Sequence, residues 1–180
     1  MTKKLYSTVF LLFLMPQFVR GERFQVGLGI AQQRLNTKSF QNSVDESKGH
    51  FDFTSFELRG AYSFVSLNLL TLSLEGHYHR SLESQSSITG YIDFEEFAFS
   101  SVANITVWTN FGLEAGATFF SLVTSPKKDM ENPGGIGLLY GLTYLINKEL
   151  QLRIRREDKV LANSYDIQPG YSFSISYLFK

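Results

Sequence analysis

His77 and His79 stand two residues apart, with Glu75 in front of them and Arg80-Ser81 behind. On an extended chain, side chains two apart share a face, so the two imidazoles could offer nitrogen ligands to one divalent metal. Two ligands do not make a site, and Glu75 or Glu57 would have to complete it. The same stretch can be read as hydrolytic chemistry. His79-Arg80-Ser81 sets a base beside a nucleophile, and Glu83, Asp93 or Glu95 could orient the base. His-x-Ser is too short a pattern to carry that reading, because catalysis needs base and nucleophile within hydrogen-bond reach. Polar side chains that fill a narrow interior are the plainer account, so no catalytic residue, metal ligand or cofactor is expected.

The elements that hold these residues are strands. Tyr171, Phe173, Ile175, Tyr177 and Phe179 alternate with Ser172, Ser174, Ser176 and Leu178, which gives one apolar face and one small, mostly polar face. The same period of two recurs at Phe24, Val26, Leu28 and Ile30; at Phe56, Leu58, Gly60, Tyr62 and Phe64; and at Leu70, Leu72, Leu74, Gly76 and Tyr78. Further along it recurs at Phe111, Leu113, Ala115, Ala117 and Phe119; at Leu138, Tyr140, Leu142 and Tyr144; and at Leu150, Leu152 and Ile154. Residues 91–107 form the remaining strand, with a change of phase. Ile92 and Phe94 sit on one parity, whereas Phe97, Phe99, Ala103 and Ile105 sit on the other. A bulge near Glu95-Glu96 is expected to reconcile them. Short connections near 65–68, 108–110 and 147–149 alternate with long polar ones over 36–49, 81–87, 124–135 and 157–166.

The N-terminus has a different character. Lys3 and Lys4 precede an apolar run over 5–15, then Pro16 and Val19-Arg20-Gly21. That is the layout of a secretory signal peptide, and the run is too short to span a bilayer as a helix, which takes about 20 residues. Cleavage is expected after Gly21, leaving 22–180 as one domain. Losing Lys3, Lys4 and Arg20 leaves 14 basic against 17 acidic residues, a net charge of −3, and no basic patch argues for nucleic acid. With no cysteine in the chain, disulfide frameworks, thiolate metal sites and lipoprotein anchors are excluded.

Alternation alone does not say which face points inward. The polar face is built largely from Gly, Ala, Ser and Thr, with a sparse set of ionisable groups of both signs: Glu57, Arg59, Glu75, His77, His79, Glu114, Arg153 and Arg155. A solvated exterior would carry many more Lys, Asp and Glu. Small residues with a few opposed charges suit the crowded lumen of an eight-stranded barrel instead, where pairing offsets the cost of burying each charge. The apolar face then meets lipid. Short turns at one end and long polar loops at the other fit a transmembrane barrel with an even number of strands.

In these features the mature chain resembles the small eight-stranded outer-membrane β-barrels, such as the OmpA transmembrane domain and OmpX-like proteins. The terminal strand, with Tyr171, Phe173, Ile175, Tyr177 and Phe179 before Lys180, looks like the C-terminal signal read by the barrel assembly machinery in that group. The resemblance implies an all-β, up-and-down, eight-stranded antiparallel transmembrane barrel in a bacterial outer membrane. It also implies contact with outer-membrane lipids and lipopolysaccharide. A structural or surface-interaction role is expected, with any surface ligand held by loops 36–49, 81–87, 124–135 and 157–166, and with a lumen filled by side chains. The alternatives are a lipid A-modifying enzyme of deacylase type, for which His79 and Ser81 would be the residues in question, and a narrow channel for small solutes.

Overall fold

The computed structural model describes residues 23–36, 50–67, 69–87, 90–125, 134–161 and 167–179. Residues 1–22, where the signal peptide is expected, most of the expected loops 36–49 and 124–135, and residues 162–166 lie outside the described residues. The strands are β1 (Arg23–Asn36), β2 (His50–Ser66), β3 (Leu70–Ser81), β4 (Gln85–Ser87), β5 (Gly90–Trp108), β6 (Phe111–Ser125), β7 (Gly134–Leu145), β8 (Leu150–Leu161) and β9 (Ile167–Phe179). All pairings are antiparallel. The long strands follow one another as β3-β2-β1-β9-β8-β7-β6-β5, and a β3–β5 pairing closes the ring, so eight strands make a barrel with no free edge. The short β4 pairs only with β5, within the segment 81–87 expected to be loop.

Closure occurs because every strand presents one face to the lumen and one to the outside. On β9, Ser172, Ser174 and Ser176 are buried, whereas Tyr171, Phe173, Ile175, Tyr177 and Phe179 are exposed. Small inward residues leave room for the long side chains of the neighbouring strands. Gly141 on β7 shows how tightly these fit: an added Cβ would lie 2.3 Å from the Ile154 carbonyl oxygen and 3.1 Å from Glu114 Oε1.

The outer surface is apolar on every long strand. Leu28, Leu58, Leu74, Phe99, Leu113, Leu138, Ile154 and Ile175 each expose 42% or more of their area, a continuous belt that water would penalise and hydrocarbon would not. Aromatic pairs edge it, with Trp108 against Phe111 at the turn end and Tyr78 against Phe97 nearer the loops. Leu74→Arg and Ile154→Arg, near the middle of their strands, are therefore expected to cost about 2–4 kcal/mol each by placing charge in lipid. Ser73→Ala, on the inner face, should be mild. Urea unfolding in lipid vesicles measures the difference, and equal tolerance at the three positions would mean that the faces are reversed.

The expected bulge near Glu95-Glu96 is absent. β5 pairs with β6 residue by residue from Asp93↔Ser125 to Thr106↔Gly112, and its one register shift against β6 falls between Thr106 and Trp108. The phase change has another cause. Phe94 points inward, fully buried, and stacks on Phe53 of β2 with ring centroids 5.4 Å apart. The inward face thus mixes apolar with charged side chains toward the loop end, where Leu122 and Leu139 are buried as well. A second correction concerns 157–166, since β8 continues to Leu161 and carries Glu157 and Lys159 inward. The register of the wall also shifts in β2 against β3, between Ser63 and Val65, and in β1 against β9, between Gln32 and Arg34 opposite Tyr171 and Gln168. Pro169, which has no N–H to offer a ladder, sits in that gap.

Candidate functional site

The inward ionisable residues come from five strands at two-residue spacing: Glu57 and Arg59 on β2, Glu75, His77 and His79 on β3, Glu96 on β5, Glu114 on β6, and Arg153, Arg155, Glu157 and Lys159 on β8. The register places Glu57 opposite His79, Arg59 opposite His77, and His79 opposite Glu96. The eight residues singled out in the sequence are all buried, at 5% exposure or less. Charges this deep persist only when paired and hydrogen-bonded, and the geometry meets that condition for most of them.

Glu75 is the centre of the network. Arg59 donates to both of its oxygens, from Nη2 at 2.7 Å and Nε at 3.1 Å. Arg155 Nη2 donates to Oε2 at 2.8 Å and Arg153 Nη1 to Oε1 at 3.2 Å. Three guanidiniums therefore share one carboxylate, which the fork geometry of arginine permits while other N–H groups reach further acceptors. Arg59 also donates to Ser176 Oγ and Gln25 Oε1, and Arg153 donates to Gln151 Oε1. Glu114 takes the remaining positive charge, accepting from Arg155 Nε at 2.7 Å and lying 3.0 Å from Arg153 Nε in an ion pair that is not aligned as a hydrogen bond.

A second cluster lies toward the loop end. Lys159 Nζ donates to Glu96 at 2.5 and 2.7 Å, reaches Glu157 at 3.0 Å and stands 5.4 Å over the Phe120 ring. These three charged residues were missed in the sequence. Glu157 and Lys159 fall within the expected loop 157–166, although they continue the parity of Arg153 and Arg155, and that continuation is the available signal.

Between the clusters sit the two histidines and Glu57. His77 Nδ1 and His79 Nε2 are each 3.8 Å from a Glu57 oxygen, while their other ring nitrogens face Glu75 at 3.4 Å and Glu96 at 3.5 Å. Arg155 Nη1 also approaches His77 Nε2, at 3.3 Å. The hydrolytic arrangement is not assembled. Neither nitrogen of His79 has a hydrogen-bond partner among the described residues, and Ser81 Oγ accepts the Phe94 backbone N–H at 3.0 Å. Of the acids that might orient the base, Asp93 accepts from Ser84, and Glu95 lies near the exposed Arg80.

Two cavities flank this core. One, of about 440 Å³, lies at the turn end and reaches Gln25, Ser73, Glu75, Asn104, Gln151 and Arg153. The other, of about 380 Å³, lies beside the register shift of β1 against β9, between Gln33, Arg34, Asp52, Phe53, Pro169 and Tyr171.

A closed barrel with an apolar exterior and an ion-paired interior belongs to a known class of architecture, that of the small eight-stranded outer-membrane barrels. Ail, the attachment invasion locus protein of Yersinia pestis, superimposes with a TM-score of 0.59 at 14% identity, over 89% of this chain and 100% of Ail. Neisserial surface protein A matches with a TM-score of 0.56 at 12% identity, over 89% of this chain and 99% of its own. OprG of Pseudomonas aeruginosa matches with a TM-score of 0.51 at 11% identity, over 89% and 97% of the two chains. At these identities the likeness is one of fold. No family model matches the chain, and no curated protein matches it in sequence.

Proposed function

We propose that this chain is a structural or surface-interaction protein of a bacterial outer membrane, with its turns facing the periplasm, its long loops facing outward and a lumen that passes no solute stream. The observation that carries this reading is the charge network itself. Arg59, Glu75, Arg153, Arg155 and Glu114 tie β2, β3, β6 and β8 together across the lumen through bonds of 2.7–3.2 Å. An eight-stranded barrel has room for little else at that level. Planar-bilayer conductance tests it. The wild-type barrel is expected to stay closed, and Glu114→Gln, which loosens one side of the network, to flicker. Steady porin-like current from the wild type would overturn the filled lumen. Recovery of the mature protein from the soluble periplasmic fraction would overturn the location.

Surface interaction follows from the division of labour in such a fold, where the wall is fixed by lipid and by the lumen while the loops are free to vary. The segments 37–49, 81–87, 126–133 and 162–166 hold the candidate contacts. Ail has been solved in complex with a heparin analogue, sucrose octasulfate, which shows that a barrel of this fold can carry a polyanionic ligand. The terminal strand, with five outward aromatic or aliphatic residues from Tyr171 to Phe179, is proposed as the element that the assembly machinery reads. Against a lipid A hydrolase stands the bonding of the two residues: Ser81 Oγ accepts the Phe94 backbone N–H, and neither nitrogen of His79 has a hydrogen-bond partner among the described residues. Mass spectrometry of lipid A from cells with and without the protein should find no change in acylation.

A further inference from the structure

We propose that Glu57, His77 and His79 form a binding site for one divalent transition-metal ion of the Zn²⁺ type inside the barrel. The site does not depend on the surface role, and it departs from the sequence reading, in which the histidines only filled the lumen. One carboxylate oxygen of Glu57 and one ring nitrogen of each histidine all lie within 4.8 Å of one another. His77 Nδ1 and His79 Nε2 both turn toward Glu57, at 3.8 Å. That is too long for a hydrogen bond. Two donors bound tetrahedrally to one ion at about 2.0–2.2 Å sit about 3.3–3.6 Å apart, so the set, whose atoms all lie within 4.8 Å of one another, closes on an ion by side-chain shifts on the order of 1 Å.

The orphaned atoms point to the same place. Glu57 Oε2, His77 Nδ1 and both nitrogens of His79 are buried with no hydrogen-bond partner among the described residues, a costly arrangement unless something occupies the centre. Charge agrees. Five inward carboxylates (Glu57, Glu75, Glu96, Glu114 and Glu157) face four cations (Arg59, Arg153, Arg155 and Lys159). Glu57 is the one with no arginine or lysine in ion-pair contact among the described residues.

The outer layer also fits. Metal-bound histidines normally donate their second N–H to a carboxylate that fixes the ring. Here His77 Nε2 faces Glu75 Oε2 at 3.4 Å and His79 Nδ1 faces Glu96 Oε1 at 3.5 Å. Both carboxylates are themselves anchored, Glu75 by its three arginines and Glu96 by Lys159. With the ion on Nδ1, His77 gives its Nε2 proton to Glu75, and Arg155 keeps Glu75 and Glu114 as acceptors. Two imidazoles and one carboxylate select a borderline ion over Ca²⁺ or Mg²⁺, and water completes the fourth position.

The test uses the mature protein refolded in detergent micelles, stripped with a chelator and offered Zn²⁺, with Ca²⁺ as a hard-ion control. One equivalent of Zn²⁺ and no Ca²⁺ should remain after desalting, and the urea midpoint should rise with Zn²⁺. Glu57→Gln and the double variant His77→Asn/His79→Asn should lose at least about 100-fold in affinity, since first-layer ligands matter more than the outer partners whose loss costs about 10–100-fold. His50→Asn, at the chain's one remaining histidine, should bind as the wild type does. Folding of each variant is checked by heat-modified gel migration. Because a variant can fail to fold, Co²⁺ bound to the wild type supplies a separate reading through the visible absorption of a four-coordinate nitrogen and oxygen set. Wild-type protein that takes up no Zn²⁺, a double variant that binds equally well, or binding that moves with His50 would each overturn the site.

Discussion

Glu75→Gln is expected to lower the stability of the barrel by at least about 3–5 kcal/mol, the cost of leaving a buried charge without its partner. The substitution keeps the shape of the side chain, but it removes the one negative charge that Arg59, Arg153 and Arg155 share. It also turns an acceptor oxygen into an N–H₂ group that must face guanidinium N–H groups. Glu114 is left to balance three cations at the centre, and its oxygens are already engaged by Arg155 and Arg153. Equilibrium urea unfolding in lipid vesicles reads the loss, with the single tryptophan, Trp108, as a reporter exposed at the turn end. Pairing the change with Arg59→Met should recover part of it, because one of the stranded cations leaves with its partner. A cost below about 1 kcal/mol would instead describe a wet, screened cluster of the surface type.

The fold was legible because two different solvents act on the two faces of each strand. Lipid outside imposes an unbroken apolar column on β1, β3 and β9, and a lumen one side chain wide imposes small or paired residues within. That contrast makes the period of two visible in residues 24–30 or 171–179 without any partner strand in view. It fades wherever the strand leaves the lipid. Beyond Ile154 the outward positions of β8 become Arg156 and Asp158, which bond to each other at 3.0 Å, with Tyr140 donating to Asp158 at 2.8 Å. Polar residues then stand on both faces and the sequence reads as loop, although the ladder with β7 runs on to Leu161. The converse happens on β5. Phe94 faces inward against Phe53, and a reading that equates inward with polar has to invoke a bulge. Which charges pair was equally hidden, because Arg155 meets Glu75 and Glu114 across 80 and 41 residues of chain, distances that only the closed register removes.

Lys159→Met separates the two readings of that region most sharply. On a solvated loop, the change should stay within about 0.5 kcal/mol. In the structure, Lys159 Nζ is held by Glu96 and Glu157, and its side chain is 2% exposed. Methionine keeps much of the unbranched stem and its packing against Phe120, so the cost isolates the charge. Two buried carboxylates then lose their shared cation, with only the histidine at 3.5 Å left beside Glu96. A loss of about 3–5 kcal/mol is expected. Lys148→Met, at an exposed position in the β7–β8 turn, should cost almost nothing. In the double-mutant cycle with Glu96→Gln, the two losses should fall well short of adding, since each variant alone strands the other's partner. Additive losses would mean that Lys159 and Glu96 do not meet in the folded barrel, and a neutral Lys159→Met would return residues 157–161 to the loop.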